Sequence, residues 1–168
     1  MRTAVADRRA VLRGELLKVG RVMALDFGSA RCGVAMSDPT GTIASPHPVV
    51  FKAATPSGLR RIAQLAREHQ VEQIVLGLPI GLSGCETAQT RETRAFAERL
   101  RAAVELPVEL YDERFTTRMA ERDIDPRAHE DSRAAAHLLD GWLTERGGGP
   151  LGAAAETSAD RPWDNRSQ

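Results

Sequence analysis

Residues 21–38, RVMALDFGSARCGVAMSD, constrain this chain more than any other stretch. Val22, Met23, Ala24 and Leu25 form a short, almost purely apolar run, as in a strand covered on both faces. That run ends in Asp26; Phe27, Gly28, Ser29 and Ala30 supply a turn, and Cys32 to Met36 resume as small and apolar before Ser37 and Asp38 close the segment. The pattern predicts a strand, a tight turn and a second strand. A carboxylate at the end of a buried strand is costly unless a partner neutralises it. Gly28, two residues on, allows close backbone approach to such a partner. A polar strand end before an ordinary hairpin turn reads the same way, so the remainder of the chain has to decide.

Residues 42–51 are extended, and Pro46 and Pro48 suit them to a sheet edge. Thr55-Pro56 is a helix start, with threonine as cap and proline in the first turn. That helix is expected to run to about residue 69, with Leu59, Ile62, Ala63 and Ala66 on one face. Residues 72–77 read as a short strand, 78–84 as a Pro/Gly loop, and 86–104 as a second helix burying Phe96, Leu100 and Val104. The next strand, 107–111, ends at Asp112-Glu113-Arg114; a short helical stretch at 116–122 and a turn at Pro126 follow. The last helix starts near Asp131 and carries the stripe Ala135, Leu138, Leu139 and Trp142. The order β-β-β-α-β-α-β-α predicts an α/β fold, a mixed sheet with helices on both faces.

A length of 168 residues fits one domain with a real core, here residues 21–146. Residues 1–20, rich in arginine, read as an N-terminal extension, and from residue 147 onward the composition is that of a disordered tail. Zero formal net charge means that bulk electrostatics does not advertise a nucleic-acid binder. Lys18 and Lys52 are the only lysines. Arginine grips phosphate bidentately, but a GC-rich genome produces the same bias. Cys32 and Cys85 are too few for a disulfide framework and lack metal-ligand spacing. No apolar run has the length of a membrane span, and the N-terminus lacks the apolar core of a signal peptide. A cytoplasmic location is the expectation.

Three acids fall at element boundaries: Asp26 ends the first strand, Glu113 follows the last strand, and Asp131 opens the last helix. If the first and last strands are parallel neighbours, Asp26 and Glu113 emerge at one sheet edge, where α/β proteins place ligands. Asp131 lies four residues before Ala135, in line with the stripe that packs on the sheet. Three converging carboxylates repel unless cations bind them, and oxygen-only ligands suit Mg²⁺ or Mn²⁺. Such ions serve phosphoryl chemistry. Each acid also has an ordinary reading: Asp131 as a helix cap, Glu113 as a surface partner of Arg114 or Arg118.

The motifs Leu25-Asp26-Phe27-Gly28 with Gly33-Val34-Ala35, Val75-Leu76-Gly77-Leu78-Pro79, Asp112-Glu113-Arg114-Phe115-Thr116-Thr117 and Asp131-Ser132 occur in that order. On them the chain resembles the YqgF family of pre-16S rRNA nucleases, also called Holliday-junction-resolvase-like proteins. The resemblance implies an RNase H-like five-stranded sheet and a metal-dependent hydrolase of phosphodiester bonds. It implies that Asp26, Glu113 and Asp131 are the catalytic, metal-binding acids and that precursor rRNA is the nucleic-acid partner, with a role in 5′-end maturation. It also sets Arg114 and Thr116 beside the site as substrate contacts, with the 77–79 loop shaping the substrate edge. Two features depart from the family: the segment between Glu113 and Asp131 is short, and His129 stands where lysine is common, so His129 is the expected substrate contact there.

Three other readings compete. A structure-specific DNA resolvase on the same scaffold would act on branched DNA. A sugar-kinase or actin-like ATPase half would carry a similar first hairpin but needs a second domain to clamp ATP. A catalytically silent RNA-binding module would use Arg60, Arg61, Arg91, Arg94 and Arg101, although 4% aromatic content leaves few stacking platforms.

Overall fold

The computed structural model describes residues 20–115 and 127–146. The expected N-terminal extension, the helical stretch at 116–122 with Thr116, the Pro126 turn and the C-terminal tail lie outside the described residues. Within them, β1 (Val22–Phe27), β2 (Arg31–Ser37) and β3 (Ala44–Phe51) form an antiparallel meander. Two crossover units follow: α1 (Pro56–Glu68) leads to β4 (Gln73–Leu78), and α2 (Ala88–Ala103) leads to β5 (Val108–Asp112). A 3₁₀ turn over Glu113–Phe115 ends β5, and α3 (Glu130–Glu145) closes the described fold.

The strand order is β3-β2-β1-β4-β5, with β1, β4 and β5 mutually parallel. This corrects one expectation. The first and last strands are not neighbours, because β4 is inserted between them. Right-handed crossovers build a parallel sheet outward from β1, and β4 reaches that edge first. Asp26 and the end of β5 still emerge at the same sheet edge, with the end of β4 between them.

The sheet separates two cores. Met23, Leu25 and Phe27 of β1, with Ile74 and Leu76 of β4, pack under α1 and α2 against Ile62, Leu65, Phe96 and Leu100. Val22, Ala24, Ala35 and Val75 face the other way, toward Ala135, Leu138, Leu139 and Trp142 of α3. The strand residues on the α3 side are the smaller set, which lets that helix lie close to the backbone. Local chemistry agrees with these elements. Thr55 caps α1 by accepting from Gly58 N–H, with Pro56 in the first turn, and Thr87 caps α2 in a reciprocal pair with Thr90. Such a cap contributes about 1 kcal/mol. No described helix is long and apolar enough to cross a membrane.

Candidate active site

The alternation along β1 decides where Asp26 points. Phe27 belongs to the α1/α2 core and stacks on Phe96 with ring centroids 4.3 Å apart, which fixes the end of the strand. Val22 and Ala24 belong to the α3 core, so Asp26 continues their row toward α3. In the β1–β2 ladder Asp26 sits directly opposite Gly33. On its other side the β1–β4 register pairs Leu25 with Leu76, so the next residues, Asp26 and Gly77, stand side by side. A glycine therefore flanks the acid on each neighbouring strand.

Both glycines are occupied by something else. A Cβ on Gly33 would overlap the carbonyl oxygen of Asp131, so the first turn of α3 rests on bare backbone there. A Cβ on Gly77 would lie 2.5 Å from Oε1 of Glu113. Gly77 thus leaves the space through which Glu113, at the far side of β4, reaches toward Asp26. The pairing of β2 with β3 shifts between Cys32 and Val34, where Pro48 and Val49 of β3 bulge opposite Gly33. Ser132 Oγ donates to His47 O at 2.6 Å and ties α3 to the outer strand there. Gly28 does a different task from the one its position suggested. Its N–H donates to Arg31 O at 3.0 Å, and a Cβ on it would lie 2.6 Å from that oxygen, so it closes the hairpin rather than opening space at the acid.

The electrostatics make Asp26 the shared member. Burial raises its carboxyl above the usual range, and the charge of Asp131 adds to the shift. Burial pushes Glu113 up to about 7, helped by Asp26 and then Asp112. The thiol of Cys32 is pushed up by burial, then by Asp26 and Asp131, which leaves it an inert buried group. Oδ2 of Asp131 is buried and accepts no hydrogen bond. Two nitrogens stand near it, Arg31 Nε at 3.0 Å and His129 Nδ1 at 3.3 Å, neither in hydrogen-bonding alignment. His129 is the N-cap of α3, and its Nδ1 accepts from the backbone N–H of Asp131 at 3.2 Å. A nitrogen accepting there has no proton to offer Oδ2. The cap is therefore His129, and Asp131 is free of that duty.

This arrangement suits a hard divalent cation in its chemistry. It offers carboxylate oxygens only, an orphaned buried oxygen on Asp131, and two acids whose charged forms are disfavoured by burial and then by their neighbours. Among the described residues, however, no three His, Cys, Asp or Glu side chains are gathered closely enough to hold one ion. Asp26 is coupled to Glu113 on one side and to Asp131 on the other, which is two pairs with one common member.

Arg114 is engaged by its neighbour, not by Glu113. Its Nε donates to both oxygens of Asp112 at 3.1 Å and Nη2 donates to Oδ2 at 2.7 Å, a forked pair at the end of β5. The 79–87 loop approaches this fork, since a Cβ on Gly84 would stand 3.6 Å from Arg114 Nη1. Several helix arginines serve the surface: Arg94 pairs with Glu86 at 2.8 Å and Arg101 with Glu98 at 2.5 Å. Sequence reasoning named Gly33 and Gly77 only as motif members and missed the room they leave for Asp131 and Glu113; it missed Arg31 altogether. The spacing Asp26-x-Gly28-x-x-Arg31 was the available signal for the last, because a tight hairpin returns that arginine beside the strand end.

A family model described as RuvX: Holliday junction resolvase matches residues 20–145. The chain belongs to the RuvX family. A RuvX relative from Syntrophomonas wolfei, by name a candidate pre-16S rRNA nuclease, is 37% identical over 140 residues, covering 79% of this chain and 97% of its own. One from Anaeromyxobacter strain Fw109-5, with the same name, is 40% identical over 134 residues, covering 75% and 98%. Among solved structures, T. thermophilus RuvC in complex with Holliday junction substrate aligns at a TM-score of 0.50 and 12% identity, over 77% of this chain and 97% of that one. That likeness establishes a RuvC-like, RNase H-type fold for this RuvX chain. The expected fold class is thus borne out, and so is the expected family.

Proposed function

We propose that this RuvX protein is a nuclease that hydrolyses phosphodiester bonds and acts in the cytoplasm on the 5′ end of precursor 16S rRNA. The observation that carries the reading is Asp26 at a strand end, between the acids Glu113 and Asp131, with glycines on both sides to admit them. Asp26, Glu113 and Asp131 would hold Mg²⁺ or Mn²⁺, which would supply activation of the attacking water and stabilisation of the leaving oxygen. The chain's own groups prepare that event. The packed end of β1 holds Asp26 rigidly, as a site of this kind requires. Glu113, pushed up by burial to about 7, is part-protonated in near-neutral solution, and a bound cation would favour its charged form. Arg114, locked on Asp112 beside Glu113, presents a fixed guanidinium to the phosphate backbone.

The relatives' names support the RNA substrate, and the family description favours a second reading, resolution of four-way DNA junctions. Cleavage of a precursor rRNA fragment and of a synthetic four-way junction, by wild type and Asp26→Asn with Mg²⁺, separates them. Cutting of the RNA alone supports the first reading. Cutting of the junction alone replaces it with the second, and activity surviving in Asp26→Asn removes the assigned site.

A further inference from the structure

We propose that Arg31 is the resident counter-cation of the acid cluster. Its guanidinium neutralises Asp131 until a divalent ion takes that place, and it then turns to a phosphate of the nucleic acid. The proposal rests on the metal-binding role just assigned to Asp26, Glu113 and Asp131.

The hairpin delivers Arg31 to this position. Gly28 N–H holds the carbonyl of Arg31, Lys52 N–H holds the carbonyl of Ala30 at 3.0 Å, and Arg31 is in register with Phe51 of β3. Its backbone is thus fixed from both neighbouring strands while its side chain remains half exposed. The contact with Asp131 is a single approach of Nε at 3.0 Å without hydrogen-bond alignment. Arg114 provides the contrast within the same molecule. It is forked on both oxygens of Asp112, an arrangement that holds. Arg31 approaches one oxygen through Nε alone, and its side chain is half exposed.

Asp131 Oδ2 cannot serve a guanidinium and a divalent ion together. The two cations repel at that separation, and the ion carries the greater charge. When the ion takes the oxygen, the tethered guanidinium must move outward. The incoming diester is the anion available to it, and arginine matches phosphate geometry. The exchange leaves the local charge balanced in both states. Arg31 offsets the charge of Asp131 while the site waits, and it serves the substrate once the site is loaded.

The test uses the full chain. Mn²⁺ affinity is measured by titration calorimetry for wild type, Asp26→Asn, Arg31→Gln and Arg31→Lys. Arg31→Gln should bind Mn²⁺ more tightly, by about fivefold, the most an exposed ion pair is worth. Arg31→Lys, which keeps the charge, should stay near wild type and shows that the position tolerates change. Binding of a labelled RNA hairpin is then followed against salt, with Ca²⁺ present or with chelator. With Ca²⁺, which takes the same oxygen ligands, Arg31→Gln should lose about one from the salt slope. With chelator, the two proteins should coincide. If Mn²⁺ binds wild type but Arg31→Gln binds it equally or more weakly, the exchange is wrong and the site stands. An RNA deficit equal in Ca²⁺ and chelator likewise overturns the hand-over alone. A wild type that binds no Mn²⁺, like Asp26→Asn, overturns the metal reading and the exchange together.

Discussion

Gly33 lies directly across the β1–β2 ladder from Asp26, and the backbone of Asp131 fills the space that a side chain on Gly33 would take. The first turn of α3 can therefore reach the strand that carries the acid. Gly33→Ala should cost about 2–3 kcal/mol, at the upper end of overpacking, since carbonyl and helix must both shift. Gly77→Ala should cost less, because the atoms it meets are the ends of the Glu113 and Leu138 side chains. Denaturant unfolding of the two variants checks the order. An equal or reversed order would mean that α3 does not rest on Gly33.

Asp26→Asn should abolish hydrolysis while leaving the melting temperature of the metal-free protein unchanged or higher. The substitution removes a half-buried charge that raises the carboxyl of Glu113 and is itself disfavoured by burial and then by Asp131. Thermal melts in chelator provide the measurement. A large loss of stability would mark Asp26 as structural.

Two carboxylates give the metal-free protein opposite pH slopes. Glu113 is raised from 4.5 to about 7, so the folded state binds the proton more tightly. Its contribution is fully present below about pH 4.5 and is lost as pH rises through 7. Asp38 runs the other way. Partial burial pushes its carboxyl up, but the Thr40 hydroxyl and the backbone N–H groups of Ile43, Thr42 and Thr40 outweigh that and hold it at about 2. Its contribution is present above its unfolded value near 3.8 and is lost as pH falls through about 2. Glu113→Gln should flatten the neutral limb and Asp38→Ala the acid limb. Denaturant midpoints taken from pH 2 to 8 in chelator would reveal either slope surviving its variant.

Hydrolysis should require Mg²⁺ or Mn²⁺, cease with chelator and fail to return with Zn²⁺ alone, because the cluster offers no Cys/His set. Apparent metal affinity should rise with pH through the titration of Glu113, at about 7. Full activity in excess chelator would refute the assignment of the acids.

His129→Ala should destabilise the fold by about 1 kcal/mol through loss of the α3 cap, and His129→Asp, a stronger cap, should restore or exceed wild-type stability. If His129 serves substrate instead, His129→Lys should bind RNA more tightly than wild type, with stability unaffected. Unfolding curves and RNA affinity, measured on the same three variants, separate cap from contact.

Much of this was legible in the sequence because local rules and tertiary packing agree. An apolar run ending in Asp26 reads as a buried strand with a chemical end, and Asp131 in line with Ala135 reads as an acid turned to the sheet. The insertion of β4 between β1 and β5 was not legible, since strand order depends on crossover paths rather than on periodicity. The packing role of Gly33 and Gly77, motif members both, was hidden because a small residue in an apolar run looks like any strand residue until a partner is known to lie on it. His129 was read as a substitute lysine, whereas its nearest duty is to a helix end, for which histidine is an uncommon choice.

The outer strand carries a further consequence. β3 forms one margin of the sheet, and Pro46 and Pro48 deprive it of two amide donors. A row of free donors and acceptors would invite another chain to add itself as a sixth strand, the usual route to self-templated aggregation. Here that row is interrupted twice within three residues. Copies of this protein that meet at β3 would find that row broken, which disfavours main-chain pairing along it.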